Sequence, residues 1–388
     1  MRIQISDLEF QQRIKKLQDN MRGAELDLML AYGNEAEPQY VRYLSDYWPS
    51  FETAGVLVAQ EGEPLLLIGP ESYTYAADRS RIGQIRLLKA FRESSDPEYP
   101  GKPLDTFTSV FEELLGKKDG IRLGVAGYSL MNVGVYQALR DVLPDENIIK
   151  ADEVMNGLRM IKTEDELACM RKAAEITRLT FNYVLENIKP GMSETQVVGL
   201  ALGKMHELGA ERESYPMWVL TGDGSDQAIS RARQKVIQPG DMTFLQIGAR
   251  YEGYASSIGR PVVFGKASAE QKSLIEAGYT VQETVISALK AGVPAREVAL
   301  LHKRTVDELG YSDYYLYGPC HGNGLMEGEA PWVETDSDYV LEENMTFCAD
   351  IFLGSHEKKC GLRIEDVVRV TKEGAENLTS YPRKLFEL

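Results

Sequence analysis

Residues 7–23, beginning Asp-Leu-Glu-Phe-Gln-Gln-Arg-Ile, set apolar side chains at helical intervals among polar ones. That spacing predicts an amphipathic helix with an Asp cap. The apolar run Leu26–Tyr32 predicts a strand, and further strands are expected at Ala54–Ala59, Pro64–Ile68, Ile85–Phe91, Ile121–Ala126 and Asn147–Lys150. Helical patterns near 104–116 and 129–143 lie between them. The alternation predicts an α/β domain spanning residues 1–155.

From about Met160 the pattern changes. Thr163-Glu-Asp-Glu166, Ser193-Glu-Thr-Gln196 and Ser268-Ala-Glu-Gln271 each have the form of a capping box, in which a hydroxyl and a carboxyl or amide satisfy helix-end amides reciprocally. They predict helices to about Ile188, Leu208 and Ala291, and Pro294 is placed to open another at its first position. Strands are expected at Met217–Thr221, Thr243–Ala249, Tyr254–Phe264, Met345–Leu353 and Leu362–Thr371. Long helices on a mostly antiparallel sheet predict a second, α+β domain over residues 156–388.

The chain has 388 residues, 43 of them basic and 59 acidic, for a net charge of −16. Such an acid surplus argues against a nucleic-acid partner, which needs basic side chains to neutralise phosphates. No apolar run reaches the length of a membrane span, and the N-terminus has no apolar segment of a secretory signal. Four cysteines, Cys169, Cys320, Cys348 and Cys360, none in a Cys-x-x-Cys pair, predict neither a disulfide framework nor a structural zinc site. A cytoplasmic protein is expected. The Asp46-Tyr-Trp-Pro-Ser-Phe-Glu52 loop carries aromatics too closely spaced for a helical stripe. It is either packed on its own domain or a lid offering Trp48 to a small-molecule substrate.

The ordered phrases Gly240-Asp241, Gln246-Ile-Gly-Ala249, Gly253-Tyr-Ala-Ser-Ser257-Ile-Gly-Arg260, Cys320-His321-Gly-Asn-Gly-Leu325, Gly328-Glu329-Ala-Pro331, Met345-Thr-Phe-Cys-Ala-Asp350 and Gly361-Leu-Arg-Ile-Glu365-Asp366 resemble the creatinase/prolidase/methionine-aminopeptidase superfamily. The resemblance implies a pita-bread catalytic domain behind a smaller creatinase/prolidase-type N-terminal domain, and a homodimer. Peptidases of this superfamily hold two divalent metals on Asp, Asp, His, Glu and Glu. The matching positions here are Gln246, Ser257, His321, Asp350 and Glu365. An amide and a hydroxyl in place of two carboxylates remove the anionic oxygens that two adjacent cations require. No metal cofactor is therefore expected, with a single divalent ion on His321, Asp350 and Glu365 as the alternative.

Creatinases resemble this pattern and act on small C–N bonds without metal. The resemblance is incomplete: the loop Asp223-Gly-Ser-Asp226 lacks the creatinase histidine, and Gly259 stands where creatinases have a Glu. The leading expectation is a creatinase-like hydrolase of a C–N bond in a small molecule, with His321 as acid or base beside Glu329, Asp350 and Glu365. Gln246, Ser257, Asp226, Arg260, Trp48 and Cys348 are the expected substrate contacts, with Arg260 offering a fork to a carboxylate. Cys348 also carries a separate expectation as a thiolate activated by His321. The alternatives are an Xaa-Pro dipeptidase-like enzyme with an altered mononuclear metal site and a catalytically silent binding protein of the same fold. His206 and His302, in helical stretches, are read as packing or surface residues.

Overall fold

Apolar runs in the first part of the chain stack into one mixed sheet. The computed structural model describes residues 3–388, which divide into two units, Ile5–Arg159 and, grouped with the first few residues, Met160–Leu388. The N-terminal unit holds strands β1 (Leu28–Gly33), β2 (Ala54–Ala59), β3 (Leu65–Ile68), β4 (Ile85–Leu87), β5 (Leu123–Ala126) and β6 (Ile148–Lys150), in spatial order β4-β3-β2-β1-β5-β6. The β1–β2 and β2–β3 pairs are antiparallel and the rest parallel. Its helices are α1 (Asp7–Gly23), α2 (Gln39–Ser45), α3 (Tyr73–Arg79), α4 (Phe107–Leu115), α5 (Val133–Arg140) and α6 (Asp152–Met160).

Two local expectations change here. The cap of α1 is Ser6, whose extended backbone lets its hydroxyl accept the Glu9 amide at 3.3 Å; Asp7 is already helical. The strand expected through Phe91 stops at Leu87, because the chain turns so that Phe91 is wholly buried among Leu30, Leu57 and Phe107.

The second unit is built on the three expected capping boxes. Thr163, Ser193 and Ser268 each receive an amide from the third helical residue, whose side chain accepts the cap amide in return at 2.8–2.9 Å. They open α7 (Glu164–Asn187), α8 (Glu194–Glu207) and α9 (Ala269–Ala288); α10 (Ala295–Glu308) follows with Pro294 as its cap residue rather than its first turn.

The strands are β7 (Arg212–Glu213), β8 (Trp218–Thr221), β9 (Met242–Ile247), β10 (Ala249–Tyr251), β11 (Tyr254–Ala255), β12 (Ile258–Val263), β13 (Cys320–Gly322), β14 (Glu329–Val333), β15 (Thr346–Ser355), β16 (Cys360–Val370), β17 (Ala375–Asn377) and β18 (Phe386–Glu387). The large sheet runs β14-β13-β15-β16-β12-β9-β8, antiparallel along this path, with β17 on β16 and β18 on β12. Helix α9 lies close on β15 and β16: a Cβ at Gly278 would meet Ile364 Cδ1 at 2.8 Å and push that side-chain tip aside, so the close approach favours glycine.

Each of the two long central runs proves to be two strands. At Gly248 the chain leaves the large sheet for a small one, β11-β10-β7, and at Ser256-Ser257 it returns. A side chain on Gly248 would collide with the Ser214 hydroxyl and the Ser256 carbonyl, so the crossing requires glycine. Its effect is to set Ser257 at the corner of the large sheet, within reach of Tyr215.

Candidate active site

Strand alternation gathers the chemistry on one face of the large sheet. Across it, Asp350 pairs in register with Glu365, Glu365 with Gly259, Gly259 with Gln246, and Gln246 with Trp218. One rung away, His321 pairs with Cys348. His321 is thus a strand residue, in a β13 only three residues long and too short to show a period in the sequence.

Gln246, His321, Cys348, Asp350 and Glu365 are buried, and Trp218 is half-buried. Gln246 donates its amide to Glu365 Oε2, and Ser257 shares a 2.8 Å hydrogen bond with Tyr215. Asp350 accepts from Tyr317 at 2.9 Å and is 3.2 Å from the Arg363 guanidinium, which also bonds the Tyr317 hydroxyl. That guanidinium lies 4.5 Å from the centre of the Trp218 ring, a cation–π contact in a water-poor setting. The His321 ring stands 5.3 Å from that of Trp332. Its Nδ1 is 3.1 Å from the Gly322 carbonyl, which can only accept, so Nδ1 carries the proton and Nε2 presents its lone pair inward.

Nε2 faces a residue that sequence reasoning missed. Glu327 Oε1 is 3.8 Å from Nε2 and 3.8 Å from Cys348 Sγ. His321, Glu327, Cys348 and Glu365 each bring one ligand-type atom within 4.8 Å of the other three. Glu327 lies in an irregular loop with no periodicity to expose it. The one available signal was its place six residues after His321, in a Gly-flanked stretch. Tyr215 and Tyr317 were missed for the same reason.

The electrostatics follow from burial. Glu365 and Glu327 are pushed upward, first by loss of water and then by neighbouring carboxylates. Burial, with Glu365 and Glu327 beside it, also pushes the Cys348 thiol well up. A free thiolate nucleophile there is therefore not what the surroundings favour, contrary to expectation. Burial works against the Arg363 charge, but Asp350, Tyr317, Glu365 and Glu327 more than offset it.

Other expected residues lie elsewhere. Arg260 occupies the opposite face of β12, fully buried and forked onto Asp366 at 2.9 Å, with its remaining donors on main-chain carbonyls. It has no donor left for a substrate carboxylate, because strand parity turns it away from Gly259 and Gln246. Glu329 is buried against Lys162 at 3.0 Å and accepts the Met326 amide, so its charge is neutralised within the protein. Asp226 accepts from exposed His356 at 2.8 Å. Trp48 belongs to the N-terminal unit, where its indole donates to the Glu35 carbonyl at 2.9 Å. Both helical histidines, His206 in α8 and His302 in α10, are indeed helix residues, the latter fully packed.

The chain thus joins an α/β unit to an α+β unit that holds a buried imidazole–carboxylate site. Residues 168–372 match the metallopeptidase family M24, and residues 13–161 match the creatinase/prolidase N-terminal domain. The chain belongs to metallopeptidase family M24. It is 27% identical to the Xaa-Pro dipeptidase of Pyrococcus furiosus over 97% of this chain and 99% of that one. It is 31% identical to the Bacillus subtilis peptidase YqhT over 69% of this chain and 75% of that one. The solved structure of the Pyrococcus horikoshii prolidase superposes with a TM-score of 0.81 at 26% identity, covering 97% of this chain and all of that one. The expectations of a pita-bread fold and of a hydrolase acting on C–N bonds stand.

The expectation of no metal cofactor is overturned: the family is one of metallopeptidases, and relatives that match over nearly the whole chain include Xaa-Pro dipeptidases. The donor set bears on how much metal fits. Gln246 turns an N–H toward Glu365, Ser257 is bonded to Tyr215, and Arg363 already sets a cation against Asp350. Those positions do not fit the two-ion arrangement. The remaining cluster does fit one ion: Glu365 Oε1 is buried without a hydrogen-bond partner beside His321, Glu327 and Cys348. Among the described residues, no helix is long and apolar enough to cross a membrane.

Proposed function

We propose that this chain is an Xaa-Pro-type peptidase acting on short peptides. The observation that carries this reading is the likeness of both units, over nearly the whole chain, to Xaa-Pro dipeptidases. In the site, burial keeps the Tyr215 phenol protonated, which lets it donate to charge developing on a scissile carbonyl, while the Tyr317 proton is held by Asp350. The raised proton affinity of Glu327 and Glu365 suits them to take a proton from water and return it to the leaving amine. A divalent ion bound there supplies Lewis-acid polarisation of that carbonyl.

The test is hydrolysis of an Xaa-Pro dipeptide panel, set against Xaa-Ala dipeptides and longer Xaa-Pro peptides, by protein supplied with divalent metal. Cleavage of the Xaa-Pro dipeptides that His321→Ala lowers by about 10²-fold or more supports the reading. Cleavage of none of them, by folded metal-loaded protein, overturns it.

A second reading keeps the reaction type and changes the substrate. Neutral Gln246 and Ser257, bonded within the protein rather than open, favour a small C–N compound over a peptide. Turnover of creatine-like amidino compounds, with the dipeptides untouched, would select it. The expected homodimer is read directly by sedimentation of the intact chain.

A further inference from the structure

Four donor atoms of unlike chemistry meet where the large sheet joins the Gly-rich loop after β13. Nε2 of His321 and Sγ of Cys348 each lie 3.8 Å from Glu327 Oε1. At that separation neither makes a good hydrogen bond with the carboxylate. It is close to the edge of a tetrahedron whose centre binds N, O and S at about 2.0–2.3 Å. Glu365 completes the group, wholly buried, with Oε1 lacking any hydrogen-bond partner. The charge balance is also open: Glu327, Asp350 and Glu365 are three carboxyl groups facing one guanidinium, Arg363. With Cys348 as thiolate the ionised groups sum to −4 against one guanidinium, a surplus that a dication would cut from −3 to −1.

We propose that His321 Nε2, Cys348 Sγ and one oxygen each of Glu327 and Glu365 bind a single divalent ion of zinc-like character. The inference rests on the peptidase reading only for its use, and adds which atoms hold the ion and which ion they prefer. Two of the four ligands, Glu327 and Cys348, lie outside the five positions of the family pattern. Thiolate and imidazole favour zinc or cobalt over magnesium or manganese, which prefer oxygen-only shells. Hydrogen bonding of His321 Nδ1 to the Gly322 carbonyl holds the ring so that Nε2 is the ligand atom. Asp350 takes no part, being held by Tyr317 and Arg363. The carboxylate oxygens turned from the ion remain available for proton transfer.

The experiment is metal titration of chelator-treated full-length protein with zinc and with cobalt, read by elemental analysis and absorption and without substrate. The expected result is one ion per chain, with cobalt giving thiolate charge-transfer absorption. Cys348→Ser should abolish that absorption, and Glu327→Gln should weaken zinc binding by at least about tenfold, while both variants keep the wild-type circular dichroism. Asp350→Asn, the control, should leave the absorption in place. Folded protein that takes up no stoichiometric ion overturns the proposal. So does an ion bound without the thiolate band and indifferent to Cys348→Ser and Glu327→Gln. Metal bound as stated, with no Xaa-Pro cleavage, would instead sink the peptidase reading alone.

Discussion

Arg260 and Asp366 show how completely a side chain can be consumed by the fold. Both are fully buried, and the guanidinium spends its donors on Asp366 and on the carbonyls of Gly259, Glu365, Tyr381 and Pro382. Arg260→Met leaves the buried Asp366 carboxylate with only the Thr379 hydroxyl and the more distant Arg383, 3.7 Å away. It should cost about 3–5 kcal/mol in urea unfolding, the range for breaking a buried pair. Peptide KM should not move, whereas an arginine that received substrate would change it. His302 makes a complementary case, since neither ring nitrogen has a hydrogen-bond partner and burial holds its pKa down at about 4. The unfolded chain, with an ordinary histidine near 6.5, binds the proton more tightly. Unfolding therefore takes up a proton between those values, and stability falls as pH drops from about 6.5 to about 4, by about 3 kcal/mol in full. His302→Leu should remove that component, as urea unfolding at a series of pH values would show.

At the scale of elements, the three capping boxes start α7, α8 and α9 at Thr163, Ser193 and Ser268. Each Ser or Thr to Ala change should cost about 1 kcal/mol. The costs of well-separated caps should add to within about 0.5 kcal/mol, since the three share no partner. Thermal unfolding of the single and triple variants checks both statements. Those starts were legible because a capping box is local chemistry written in four consecutive residues. Strand alternation by itself puts Cys348 and Asp350 on one face of β15, but only the pairing with β16 brings Glu365 beside them. What escaped was anything depending on contacts distant in sequence. The sheet-to-sheet crossing at Gly248 needs the Ser214 hydroxyl and Ser256 carbonyl to explain it, and β13 has no partner-independent pattern. Glu327 reaches the site from an aperiodic loop. The Arg260 expectation failed on parity itself, because only the observed register of β12 says which face carries the site.

For the whole molecule, two units with separate cores make a single unfolding transition the wrong description. The three tryptophans divide between the units, with Trp48 in the first and Trp218 and Trp332 in the second. Trp48→Phe leaves a fluorescence signal from the second unit alone, and the double change Trp218→Phe with Trp332→Phe leaves one from the first. The two signals should give different denaturation midpoints. Coincident midpoints would mean that the chain unfolds as one cooperative body.

The long hairpin of β15 and β16 is paired rung by rung from Thr346 opposite Arg369 to Ser355 opposite Cys360, and its tip, residues 356–359, is exposed. Five consecutive rungs, Ser355 back to Ile351, separate the tip from the alignment of Asp350 with Glu365. Extra residues at the tip only lengthen a loop, a cost that grows slowly with its size. A residue inserted below Ser355 would instead turn one wall of the site over. The tip is therefore where this chain can carry a fluorophore or an affinity tag while its chemistry stays in register.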